Sequence, residues 1–470
     1  IACDVESYSY LPLLEEMEYF PTMKFASGFE ILEYCQKMAE KYSFYDHCLF
    51  HTTVGETTWD ETSGRWTVTT DRGDKMRARY VVLANGILTT PRLARIDGME
   101  TFHTSRWDYN VELKGKRVGI IGTGATAVQA IPELAKIVKE LYVFQRTPSS
   151  IDVRDQRATT PEEIETWSKE PGWAVARRER LATISSGRTA LKGNDDFLSG
   201  KVSDFKERKQ HTTELSREEL MQKQLNTNFR IMDQIRARVD ATVKDPKTAE
   251  ALKPYYPYGC KRPAFHDEFL PTFNLPHVTL VDTAPLGVAE INAKGVVHDG
   301  TEYPLDVLIY ATGFQWMATS TFEMITGRGG QTLRQKWQSE GTKTFLGLHS
   351  HGFPNLLIMS GPQGGGGQFN FTRGIEAHTD YVVWMLTTLR ERGAGIVDIK
   401  KDPENEYAEH CRVADLSTRP LRDCISYYNG EGGAEPGSLA YYGGPQKWHD
   451  LRSAAQESME PYVFDAAPKG

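Results

Sequence analysis

Residues 116–147 decide how this chain is read: Lys116-Arg117-Val118-Gly119-Ile120-Ile121-Gly122-Thr123-Gly124-Ala125-Thr126-Ala127, a stretch from Val128 to Lys139, then Leu141-Tyr142-Val143-Phe144-Gln145-Arg146-Thr147. Val118 to Ile121 is a short apolar run and predicts a buried parallel strand. The Gly-x-Gly-x-x-Ala behind it predicts the turn into a helix, Val128 to Lys139. Gly122 permits the tight turn. Gly124 lets backbone approach a pyrophosphate, and Ala127 lets the helix lie close to the strand. Backbone N–H groups at such a helix start face phosphate oxygens. Thr123, Gly124, Ala125, Thr126 and Gln129 are therefore candidate cofactor residues.

The end of the second strand sets which dinucleotide is expected. An NAD-binding unit places an Asp or Glu there to bond the ribose hydroxyls. This chain has Arg146 and the hydroxyl of Thr147 instead. A carboxylate would repel a 2′-phosphate, whereas a guanidinium can grip it with two hydrogen bonds. NADP is expected over NAD.

Two similar runs flank this unit. Tyr80-Val81-Val82-Leu83-Ala84-Asn85-Gly86 reads as a buried strand ending in a small-residue turn, and Asp306-Val307-Leu308-Ile309-Tyr310-Ala311-Thr312-Gly313-Phe314 has the same form. Small residues at strand ends let backbone sit against a cofactor. Asn85, Thr312 and Gly313, with Val54 ahead of the first run, join the cofactor candidates. A pair of such strands suggests two dinucleotide sites, the layout of a flavoenzyme that takes hydride from a nicotinamide. The expected fold class is α/β: two dinucleotide-binding (Rossmann-like) domains with a helical insertion.

The rest of the chain fits that frame. With 470 residues, two or three domains are expected, and 39% hydrophobic content supports a substantial core. A net charge of −8 argues against nucleic-acid binding. Six scattered cysteines read as reduced thiols, with neither zinc nor disulfide spacing. No apolar run approaches the ~18 residues of a membrane span. A cytoplasmic monomer with no metal is expected. The segment from Gly28 to Lys41 reads as a helix burying Phe29, Ile31, Leu32, Cys35 and Met38 on one face. A β-meander is expected from His51 to Thr70. Thr160-Pro161-Glu162-Glu163 and Ser216-Arg217-Glu218-Glu219 mark helix starts within a charged insertion, the second helix running to about Val239. A strand at Leu356 to Met359 runs through Gly364-Gly365-Gly366-Gly367 into a helix from Thr372 to Arg390.

With those residues quoted, the chain resembles the class B flavoprotein monooxygenases, specifically the Baeyer–Villiger monooxygenases, in the branch acting on bulky cyclic ketones. The resemblance covers essentially the whole chain. Its carriers are His103-Thr104-Ser105-Arg106-Trp107-Asp108, Gly122 to Ala127, Phe144-Gln145-Arg146-Thr147, Cys260-Lys261-Arg262-Pro263 and Ala311-Thr312-Gly313-Phe314. Ala2-Cys3-Asp4 looks like the end of a further family segment. Three departures stand out. The family's N-terminal Gly-x-Gly-x-x-Gly for FAD is absent and is expected upstream of Ile1. Gly98 stands five residues before His103, with Ile96 in the place of a Phe, and Gln315 stands where the family often has Asp.

The resemblance implies FAD and NADP as cofactors, and a small-molecule ketone and dioxygen as substrates. The implied organisation is 1–92 FAD-binding, 93–112 a connector with the fingerprint, and 113–151 the first part of the NADP domain. There follow 152–247 the helical insertion, 248–316 the second NADP part and 317–470 the C-terminal FAD part. In the family it resembles, NADPH reduces the flavin, and the oxygen activated there is expected to be inserted beside the ketone carbonyl to give an ester or lactone. Arg262 matches the family's catalytic arginine, whose charge is permanent, and Asp4 matches the carboxylate that orients it. Lys261 matches a lysine reaching the 2′-phosphate with Arg146 and Thr147. His103 and Trp107 match the fingerprint pair that couples domain motion to cofactor binding. Trp316, Gln368, Phe369 and Tyr427 are candidate substrate residues. Two alternatives stay open: an N- or S-oxygenating class B enzyme, and a catalytically dead NADP-binding module, which flavin absorbance would separate.

Overall fold

The computed structural model describes residues 1–86, 88–92, 99–185, 216–315, 320–364, 370–418, 424–426, 440–466 and 468. The chain forms two compact units, Ile1–Leu32 with Pro91–Gln315 and Leu421–Ser426, and Glu33–Thr90 with Trp316–Pro420 and Tyr427–Gly470. Residues 1–32 thus pack with the nucleotide unit, although the sequence grouped them with residues 33–92.

The first unit is built on a five-stranded sheet. Its strands are β1 (Glu100–His103), β2 (Arg117–Ile121), β3 (Glu140–Gln145), β6 (Val278–Asp282) and β7 (Val307–Tyr310), while β4 (Ile151–Asp152) and β5 (Ala264–Phe265) pair separately. The order is β6-β3-β2-β7-β1, and every pairing is parallel. Such a sheet must be covered on both faces, which is why its strands read as continuous apolar runs. Helix α1 (Ala125–Ala135) brings Val128, Ile131 and Leu134 onto Val118, Ile120 and Val143 on one face. The opposite face carries Phe144, Val281 and Leu308 under a three-stranded antiparallel sheet formed from Glu290–Asn292, Gly295–His298 and Thr301–Pro304. Full burial of each large aliphatic side chain stabilises the fold by about 1.5–3 kcal/mol.

α1 starts at Ala125, three residues earlier than the sequence suggests, because Val128 N–H already bonds the Gly124 carbonyl. It stops at Ala135, where Lys136-Ile137-Val138 turn toward β3. The insertion helices begin as their caps predict. Thr160 and Glu163 form a capping box for Pro161–Ser168, and Ser216 and Glu219 form one for Arg217–Thr242.

Asp306, entering β7, clamps the start of β2. It accepts from Arg117 N at 2.8 Å and Nη2 at 2.7 Å, and this pairing draws its carboxyl down to about 2. Since the folded value is depressed, the stabilisation is complete above the unfolded value of about 4 and fades as pH falls toward 2. Asp306 is 34% exposed, so water discounts the contribution to about 1 kcal/mol. Denaturant melts of Asp306→Asn should show that loss at pH 7, and the gap from wild type should close between about pH 4 and pH 2.

The second unit contains an antiparallel meander, Val54–Asp60, Arg65–Thr70 and Lys75–Ala78, with Trp59 opposite Trp66. A second cluster forms where Tyr381, Met385 and Leu389 of the helix Phe371–Arg392 meet Val397, Ile399 and Trp448. Asn370 caps that helix, and Gly393 in the left-handed region ends it. Two sequence expectations are corrected. In the helix Gly28–Lys41, Phe29 is 72% exposed, Leu32 is 56% exposed, and Tyr34 is the buried residue. Helical spacing fixes which residues share a face, not what covers it. The strand Val81–Leu83 pairs in parallel with Leu356–Ile358 but is not buried, Val82 being 41% exposed. Among the described residues, no helix is long and apolar enough to cross a membrane.

Candidate active site

The turn between β2 and α1 lies where the strand order reverses, at the C-terminal ends of β2 and β7. Ligands of open parallel sheets bind at that position. Gly122 has φ +107°, and a Cβ there would meet the Ala311 carbonyl oxygen at 2.6 Å, so a side chain is excluded. Thr123 is buried, and its hydroxyl donates to the Thr147 carbonyl at 3.1 Å, tying the turn to the end of β3. The Cβ direction of Gly124 meets nothing within 4 Å, and no side chain caps α1. An open approach to uncapped helical N–H groups fits a pyrophosphate. Arg146 is exposed, beside Gly287, and no carboxylate pairs with it among the described residues. This cradle is compatible with a dinucleotide carrying a 2′-phosphate, which Thr123 to Thr126 and Arg146 would hold.

Gln129 is engaged differently. Its Oε1 accepts from Ala2 N–H at 2.6 Å and its Nε2 donates to the Ala2 carbonyl at 3.2 Å. It thereby docks the segment bearing Asp4 onto α1.

Asp4 and Arg262 are brought together, Nη2 to Oδ2 at 3.6 Å, with Arg262 56% exposed and Asp4 15% exposed. Sequence reasoning missed the third member, Arg154. This residue is 5% exposed and donates from Nη2 to Asp4 Oδ1 at 2.7 Å and from Nε to the Phe265 carbonyl at 3.0 Å. Burial pushes the Asp4 carboxyl upward, while Arg154 first and then Arg262 pull it back. The parallel pairing of β4 with β5 sets this arrangement, because Arg154 follows β4 and Arg262 precedes β5. Arg238 braces the pair by donating to Ile151 and His266 carbonyls at 3.0 and 3.1 Å.

The loop carrying Arg262 is also covalently anchored. Cys260 and Cys424 form a disulfide, with Cα atoms 6.0 Å apart. This corrects the expectation of six reduced thiols. The partners are 164 residues apart in sequence, so no local spacing announces them. The next side chain, Lys261, donates to the Ile425 carbonyl and stands 5.6 Å from the Tyr256 ring.

His103 lies at the end of β1. Ser105 N–H donates to its Nδ1 at 3.2 Å, so Nε2 carries the proton and donates to the Gly313 carbonyl at 3.1 Å. Burial lowers its pKa against the opposing pull of that carbonyl, so it is neutral at pH 7. It acts as a hydrogen-bonding strut on the turn Ala311-Thr312-Gly313. Thr312 is tied through its hydroxyl to the Arg92 carbonyl, and Gly313 has φ +78°. Trp107 packs edge-on against Phe102, with ring centres 4.9 Å apart.

In the second unit, the parallel strands Val81–Leu83 and Leu356–Ile358 both run into turns with positive φ, at Gly86 and Ser360. The Cβ direction of Gly86 is open, and Asn85 is exposed and bonds the Gly86 carbonyl at 3.1 Å. Val54 opens the meander and is 44% exposed. Open small-residue turns at parallel strand ends suit close backbone approach by FAD. Trp316, Gln368, Phe369 and Tyr427 lie outside the described residues.

Residues 14–192 match the family model described as pyridine nucleotide-disulphide oxidoreductase. The chain is 42% identical over 466 residues to a Baeyer–Villiger monooxygenase of Stachybotrys chlorohalonatus, covering 92% of this chain and 72% of that one. It superposes on the polycyclic ketone monooxygenase of Thermothelomyces thermophila with a TM-score of 0.87 at 35% identity, covering 99% of this chain and 82% of the other. It superposes on OTEMO in complex with FAD and NADP with a TM-score of 0.81 at 28% identity, covering 98% and 90%.

Proposed function

The chain belongs to the Baeyer–Villiger monooxygenases, and from that premise we propose that it inserts one oxygen atom of dioxygen beside the carbonyl of a bulky cyclic ketone, giving a lactone. When bound, NADPH supplies the hydride and FAD the reduced ring that activates dioxygen. The observation that carries this reading is the Asp4–Arg262 pair, a guanidinium more than half exposed whose inner side faces a carboxylate that is only 15% exposed. Such a cation stabilises negative charge developing on oxygen and cannot hand over a proton, because it stays charged at any working pH. The uncapped start of α1 and Arg146 hold the pyrophosphate and 2′-phosphate of NADP. The neutral His103 keeps the Gly313 turn in place without moving protons. A net charge of −8 is ordinary for a cytoplasmic enzyme acting on small-molecule substrates.

The test is a product assay. Purified protein with NADPH, dioxygen and a polycyclic ketone should yield a lactone one oxygen heavier than the ketone, with NADPH consumed in proportion. Sulfoxide from a sulfide, with no lactone from any cyclic ketone, would overturn the ketone assignment.

A further inference from the structure

Among the described residues, Asp4 is a carboxylate with two cationic neighbours of opposite character. Arg262, on its Oδ2 side, is 56% exposed, whereas Arg154, on its Oδ1 side, is only 6% exposed. Three contacts fix Arg154: its backbone N–H donates to Asp267 at 2.9 Å, its Nε to the Phe265 carbonyl at 3.0 Å, and its Nη2 to Asp4 at 2.7 Å. One buried guanidinium therefore grips both the carboxylate and the strand β5 that Arg262 leads into. We propose that Arg154 is a positioning residue for the oxygenation step: it holds the Asp4 carboxyl in place, so that Asp4 can aim Arg262. This rests on the assignment of Arg262 above and adds the residue that makes the pair work.

A carboxylate this deep needs such a partner, since a buried unpaired charge takes up a proton instead. Among the described residues, the following groups face Asp4. Its own segment contributes Cys3, whose thiol burial pushes up to about 12 and so keeps neutral. The 151–155 stretch contributes Arg154, and the stretch leading into β5 contributes Arg262. Beyond β5, His266 has its pKa lowered by burial and then by Arg154, and Asp267 is satisfied by backbone N–H groups of residues 154–156. Arg154 is the principal influence holding the Asp4 carboxyl down against burial. With it removed, Asp4 retains its proton to higher pH, and a neutral Asp4 no longer draws Arg262 into line. The acid limb of oxygenation then moves upward in pH.

The experiment compares wild type, Arg154→Gln, Arg154→Lys, Asp4→Asn and Arg262→Ala. Two readouts are taken: lactone formation against pH, and infrared titration of the protonated-carboxyl band without substrate. Arg154→Gln keeps a donor for the Phe265 carbonyl and removes the charge together with the Nη2 donor to Asp4. Its Asp4 band, identified by its loss in Arg154→Gln combined with Asp4→Asn, should persist about one pH unit or more above wild type. Its lactone rate should fall about 10²-fold below that pH and recover above it, as a misaimed catalytic group would give. Arg154→Lys, reaching one partner at a time, should fall between the two in both readouts. It decides the matter should the glutamine variant not fold. No movement of the band or of the acid limb in either variant would overturn the proposal. Undiminished lactone formation by Arg262→Ala would instead overturn the assignment of Arg262, and the infrared result would still judge Arg154.

Discussion

Arg262→Ala is expected to abolish lactone formation while NADPH continues to be oxidised. The two halves of the reaction call on different parts of the chain. Hydride delivery needs the dinucleotide seated on the β2–α1 turn and at Arg146, and neither belongs to the loop between the Cys260 disulfide and β5. Oxygen insertion needs a fixed positive charge where oxygen becomes negative. One preorganised donor in a dry site is worth about 10²–10³ in rate, and a full charge at least as much. The lactone rate should therefore drop by about 10³-fold, with anaerobic reduction by NADPH within a few-fold of wild type. Arg262→Lys should keep part of the rate, since an ammonium supplies the charge but not the planar fork. Asp4→Asn should fall less than Arg262→Ala, because it leaves the cation present but misdirected. Stopped-flow reduction beside product analysis separates these outcomes. Full lactone yield from Arg262→Ala would reject the role.

What the sequence could disclose follows from how local each feature is. The strand, turn and helix at Arg117–Ala135 were readable because their determinants lie within a few residues of one another. The same holds for the capping boxes of Thr160 and Ser216, each satisfied three residues away. Asp4 and Arg262 could be paired only through family resemblance, and Arg154 by neither route. Its two side-chain partners lie 150 and 111 residues away, and no spacing around Arg154 distinguishes it from a surface arginine. The disulfide escaped for the same reason. The helix Gly28–Lys41 shows the opposite failure. Its apolar stripe is real, but periodicity states only that a face exists, and Phe29 and Leu32 are not covered by described residues.

Arg146→Ala should weaken NADPH binding by about 10²-fold and leave NADH nearly untouched. A hydrogen bond to a charged group contributes about 1.5–3 kcal/mol, and a guanidinium on a phosphate makes up to two of them. The position suits that use. Arg146 follows directly on β3, its neighbour Thr147 is tied by its carbonyl to Thr123, and a Cβ on Gly287 would stand 3.4 Å from Arg146 Cδ. The stem is thus confined while the charged end is exposed and unpaired with any described carboxylate. NADH lacks the 2′-phosphate and should not sense the loss, because the pyrophosphate contacts at Thr123 to Thr126 remain. The salt dependence should change as well. Wild-type affinity for NADPH should fall with ionic strength more steeply than that of the variant, one screened attraction having been removed. Fluorescence titration of both nucleotides at two salt concentrations measures all four quantities. If the substitution weakens NADPH and NADH equally, Arg146 shapes the strand end and does not read the phosphate.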